Sequence, residues 1–246
     1  MDALVTTALV FAAICAGIFI GVALPGHRLD SDTKDVVRLG TALIATMASL
    51  VLGLLIASAK DSYDVRSGQV RQLTADIVLL DEILAQYGPD ARAARAALRQ
   101  AVAPMVEKIW QENTSAIAPK TFHATSLGVD AFAKVQELAP KNDFERELKA
   151  RAVQLTTDIG QTRLLLFELS GNQIPMPFLA VLTFWLVILF ATFSLFAKPN
   201  TTILFALLVF GLSATAAIFL ILELSDPFTG LIKISSEPLR QALGAL

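Results

Sequence analysis

Ala42, Thr46, Ser49, Gly53, Ala57 and Lys60 recur at steps of three or four, which places a small, weakly polar stripe along one face of a helix. The chemistry open to such a stripe is not bond-breaking. Small side chains let helices approach closely in a membrane. They also leave room, with their hydroxyls, for ions and water in a pore assembled from several copies. Both readings stand at this level. Residue types that carry catalysis are not arrayed for it: there is no phosphate-cradling glycine loop, no G-x-S-x-G, no H-E-x-x-H and no dinucleotide fingerprint. Cys15 is the single cysteine, and His27 and His123 lie far apart without ligand-like neighbours. No internal disulfide, metal site, cofactor or enzymatic activity is therefore expected.

Two further groups of charges invite a functional reading. Glu223 directly follows the apolar run Phe219, Leu220, Ile221, Leu222, and acids at such depth are often functional. A boundary residue paired with a nearby base such as Lys233 is the alternative. Arg92, Arg95 and Arg99 share one face of a helix, either as a solvated face or as an anion-attracting vestibule. The net charge of −2 and the near-balanced middle of the chain exclude the basic footprint of a nucleic-acid binder.

The elements that position these residues follow from hydropathy. Residues 4–24, 40–58, 174–197 and 201–222 are apolar and carry no Lys, Arg, Asp or Glu. Each is close to the ~20 residues a helix needs to cross a bilayer core. Hydrophobic residues make up 54% and charged residues 17% of the chain, greasier than a soluble domain. The expected fold is all-α: a polytopic membrane protein with four transmembrane helices and a helical extramembrane domain inserted between spans two and three. The expected division is 1–59 for spans one and two, 60–173 for the domain, 174–223 for a hairpin of spans three and four, and 224–246 for a tail packing on the domain. The first span follows Met1-Asp2 with no basic flank and is expected to be a retained anchor. Positive-inside counting barely separates the two sides and leans to a cytoplasmic domain.

The second span is not expected to stop at the membrane surface. No proline occurs from Thr33 to Gln86, and Val65, Leu73, Ile77, Leu80 and Leu84 keep helical spacing beyond Lys60. Gly88-Pro89 should end that rod, and Pro89 should open the next helix, with Ala94, Leu98, Val102 and Met105 on its apolar face. Residues 110–128 read as irregular, with a short helix over 130–138. Asn142 and Glu145 form a capping-box-like start for a helix ending near Gly171. The third span is crowded with Phe178, Phe184, Trp185, Phe190, Phe193 and Phe196, which suits a lipid-facing perimeter.

Two stretches resemble the bestrophin channels: LLIASAKDSYDVR over 54–66, and LELSDPFTG over 222–230. The signature positions in them are Tyr63, Asp64, Arg66, Glu223, Asp226, Pro227 and Phe228. Over its whole length the chain is similar to the bacterial membrane proteins described as bestrophin-like, through DVVRLG at 35–40, LGLLIASAK at 52–60, IPMPF at 174–178 and FLILEL at 219–224. The resemblance implies a homo-oligomeric ring, a pentamer by preference, that passes ions through a pore lined by the second span, with anions slightly favoured. Its partners would be its own copies, the lipid bilayer and the permeating ions, in a bacterial inner membrane. The chain departs from the calcium-gated members, whose acidic cluster is replaced here by Thr229-Gly230-Leu231-Ile232-Lys233. It also lacks their bulky apolar rings along the small stripe. A non-conducting scaffold or sensor acting through the helical domain is the competing expectation.

Overall fold

A computed structural model describes residue 12 and residues 31–111, 126–169, 176–196, 200–228 and 231–245. The expected first span, Cys15, His27, His123, Thr229 and Gly230 lie outside the described residues. Every regular element among the described residues is a helix. In chain order these are α1 (Ser31–Tyr87), a 3-10 turn (Pro89–Ala91), α2 (Arg92–Gln111), α3 (Ser126–Gln136), α4 (Asp143–Leu169), α5 (Met176–Phe196), α6 (Thr201–Ser225) and α7 (Glu237–Ala245). Three of them, α1, α5 and α6, are long and apolar enough to cross a membrane.

α1 runs for 57 residues without a break, roughly 85 Å at 1.5 Å per residue. Its end is chemical. Gly88 adopts φ 101, a left-handed conformation that L side chains rarely take, and Pro89 follows. The Gly88 and Ala91 amides close the turn onto the Ala85 and Gly88 carbonyls at 3.2 and 3.1 Å.

The chain divides into two compact units: Met1–Ser62 with Ile174–Ser225, and Tyr63–Gln173 with Asp226–Leu246. In the first, α5 packs against α6. Leu179, Leu182, Leu186 and Phe190 of α5 are buried, as are Leu207, Ile218, Ile221 and Leu224 of α6. Phe178, Phe184 and Phe193 are exposed, whereas Phe190, which the sequence placed on the same perimeter, packs inward.

The second unit is built around one apolar core. Leu73, Ile77, Leu80 and Leu84 of α1 meet Ala94, Leu98, Val102 and Met105 of α2, together with Val135, Leu155 and Ile159 from α3 and α4. The tail adds Phe228, Ile234 and Leu239 to this core. Two boundaries differ from expectation. α2 continues through Trp110 to Gln111, and α3 begins at Ser126 rather than 130. Pro104 inside α2 does not end it. Burial of Val102, Met105, Val106 and Ile109 on either side of that proline outweighs the lost backbone bond.

α4 starts as its sequence indicates. The Glu145 amide donates to Asn142 Oδ1 at 2.8 Å, and Glu145 reaches back to accept from the Lys141 amide at 2.7 Å. This satisfies donors that the first helical turn leaves open.

Candidate ion pathway along the long helix

Three rows of residues run along the first half of α1. Thr41, Ala48, Leu55 and Ala59 are buried and hold the helix in its unit. The small stripe of Ala42, Thr46, Ser49, Gly53, Ala57 and Lys60 is exposed at every position. A second exposed row consists of bulky apolar residues: Leu39, Leu43, Met47, Leu50 and Leu54. At 3.6 residues per turn, the direction opposite the buried row falls between the two exposed ones, on Leu39, Thr46, Leu50 and Ala57. The bulky row was missed by sequence reading, although its spacing was visible. In a long apolar segment every residue is greasy, and only tertiary packing marks which Leu stays bare.

Polar groups in this half satisfy themselves within the helix. Thr46 and Ser49 hydroxyls donate to the Ala42 and Ala45 carbonyls at 2.9 and 2.8 Å, and Thr41 does the same to Val37 at 2.7 Å. The hydroxyl oxygens remain able to accept. Gly53 has open space where a Cβ would stand, with nothing within 4 Å.

Charges bracket the apolar rows. At one end Arg38 pairs with Asp35 at 3.6 Å. At the other stand Lys60, Asp61, Asp64 and Arg66. Lys60 and Asp64 each have an interaction partner. Asp61 is exposed.

The signature residues of the second unit sit together. Arg66 is buried at 4% exposure. Burial pulls its pKa down, and the opposite charge of Asp226 holds it up. Pro227 and Phe228 are buried, and the Phe228 ring meets Trp110 edge-on with centroids 5.8 Å apart. Trp110 also donates its indole N–H to the Ile234 carbonyl at 2.9 Å, and the Ile234 amide donates to Pro227 at 2.7 Å. Tyr63 packs against the core. These residues lock the start of the tail onto α2. Trp110 is the member that sequence reading left in a loop. Glu223, in α6, is half-buried and has an interaction partner.

The arginine row is not one uniform face. Arg95 makes a two-pronged bond to Asp81, Nε to Oδ1 at 2.7 Å and a second nitrogen to Oδ2 at 2.6 Å. That bond raises the Arg95 pKa above its ordinary value. Arg92 and Arg99 are exposed. Among the described residues no group of His, Cys, Asp and Glu could hold a metal ion.

The Bestrophin-like domain family matches residues 8–239. The chain belongs to that family. Its fold is shared with a bacterial bestrophin homologue from Klebsiella pneumoniae, solved as two single-substitution variants. One superposes with a TM-score of 0.67 at 11% identity, covering 96% of this chain and 99% of the other. The second gives 0.65 at 12% identity, covering 96% and 97%. No curated protein sequence matches the chain. At such identities the likeness shows the arrangement of helices alone.

Proposed function

We propose that this chain assembles with copies of itself, a pentamer by preference, into a bestrophin-like ion channel of the bacterial inner membrane. Ions pass down their gradient through a pore lined by the first half of α1; no bond is made or broken. One observation carries the reading: a membrane-crossing helix in a bestrophin-like chain leaves its side opposite the buried row uncovered from Leu39 to Ala57. Leu39 and Leu50 would form the apolar constriction, and a narrow apolar passage controls ion flow by excluding water. Thr46, Gly53 and Ala57 would widen it and offer hydroxyl and backbone oxygens. Ala42, Ser49 and Lys60 lie to the flank of that line, where small side chains let a neighbouring copy come close.

Current through planar bilayers containing the purified protein tests this. Thr46→Leu and Gly53→Leu should leave the oligomer intact on size exclusion, because both positions are exposed and Gly53 has open space at its Cβ position. Conductance should fall severalfold, with the larger loss at Gly53. Unchanged conductance in both would remove α1 from the pore. A silent wild-type oligomer would favour the scaffold reading.

A further inference from the structure

We infer that Asp61 selects for cations. The inference rests on the pore reading above and deepens it by naming the class of ion. Asp61 follows Leu54 by seven residues, as Leu54 follows Met47. A heptad turns an α-helix through two turns less about 20°, so Asp61 continues the exposed bulky row. It also stands closer than Lys60 to the line opposite the buried row.

The other charges near α1's exposed face have interaction partners. Asp35 and Arg38 pair with each other at the far end. Lys60 and Asp64 have interaction partners. Arg66 is buried, with Asp226 as its opposing charge. Asp61 is exposed and makes no ion pair or hydrogen bond among the described residues. It is the carboxylate at the end of the apolar row.

Around a symmetric ring, one Asp61 per copy makes a collar of carboxylates. Low-dielectric walls focus the field of such a collar into the passage. The apolar row from Leu39 to Leu54 is that wall. Cations gather at the collar and anions are repelled, the reverse of the slight anion preference that the family resemblance implies.

The test is the reversal potential of the reconstituted full-length protein under a tenfold potassium chloride gradient. The wild type should prefer potassium over chloride. Asp61→Asn should lower the permeability ratio by about tenfold, and Asp61→Lys should invert it. Lys60→Gln should change it by less than about twofold. Size exclusion confirms the oligomer in each case. A conducting wild type whose ratio is unmoved in Asp61→Asn overturns this inference and leaves the pore reading standing. A chloride-preferring wild type also overturns it. Absence of current from every intact oligomer overturns both.

Discussion

The two halves of α1 are one unbroken helix and treat the same residue types in opposite ways. In the first half Leu39, Leu43, Leu50 and Leu54 are 65–70% exposed. In the second, Leu73, Ile77 and Leu84 are fully buried and Leu80 nearly so. Leucine has not changed; its solvent has. Beyond Tyr63 the helix stands among elements of ordinary polarity, and burying each Leu from water gains roughly 1.5–3 kcal/mol. Before Ser62 the helix lies in the unit of the membrane-competent helices, and its uncovered leucines are left to whatever meets that face in the assembly. Hydroxyls bond their own backbone in both halves, Thr46 and Ser49 in the first and Thr74 in the second, while Asp81 in the second half meets Arg95 on another helix.

The sharpest way to break this comparison is to truncate the same residue type in each half. Leu73→Ala should cost about 2–5 kcal/mol of stability, read as a lower melting temperature of the detergent-solubilised protein by circular dichroism. Leu50→Ala should shift melting little, within about 0.5 kcal/mol, and act on conductance instead. Equal losses would mean that Leu50 is packed as tightly in the assembly as Leu73 is in the domain.

A smaller effect should come from the cross-helix ion pair. The Asp81 side chain is 11% exposed and that of Arg95 32%. Arg95→Ala strands a largely buried carboxylate and should cost about 2 kcal/mol in the same melt. Arg95→Ala and Asp81→Ala combined should cost less than the sum of the single changes. Strict additivity would show that the pair contributes nothing beyond its separate residues.

The smallest effect depends on pH. Asp76, in the second half of α1, is buried and accepts a bond from Gln72 at 2.9 Å. Burial raises its pKa, and the charge of Asp158 adds to that. A carboxyl whose folded pKa is raised binds its proton more tightly in the folded state. Its contribution is therefore fully present below the ordinary value of 3.8 and is lost as pH rises through the folded value. Asp76→Asn keeps an acceptor for Gln72 and removes the buried charge. It should raise the melting temperature at pH 7 and give no gain below pH 3.8. A gain that persists in acid would assign the effect to packing rather than charge.

Much of this was legible in advance where a local rule acts alone. The end of α1 at Tyr87 follows from Gly88-Pro89, and the start of α4 from the Asn142–Glu145 box. The apolar periodicity of Leu73, Ile77, Leu80 and Leu84 foretold the domain core because water enforces it. Arg95 could not be told from Arg92 and Arg99, since all three share a helix face and only the approach of Asp81 separates them. Trp110 was read into a loop because the residues after it lack helical pattern, whereas its indole bond to Ile234 spans 124 positions.

By itself, then, the sequence determined where helices begin and end, which segments are apolar enough to cross a membrane, and the bestrophin-like character of the signature runs. These depend on residues close together in the chain, through capping, proline geometry and hydropathy summed over a span. The tertiary structure decided which side of each apolar helix is bare, that Arg66 is buried against the charge of Asp226, and that Asp61 stays exposed at the end of the Leu39–Leu54 row. Such facts depend on what packs against a side chain. In a segment where every residue is apolar, no local pattern carries that information.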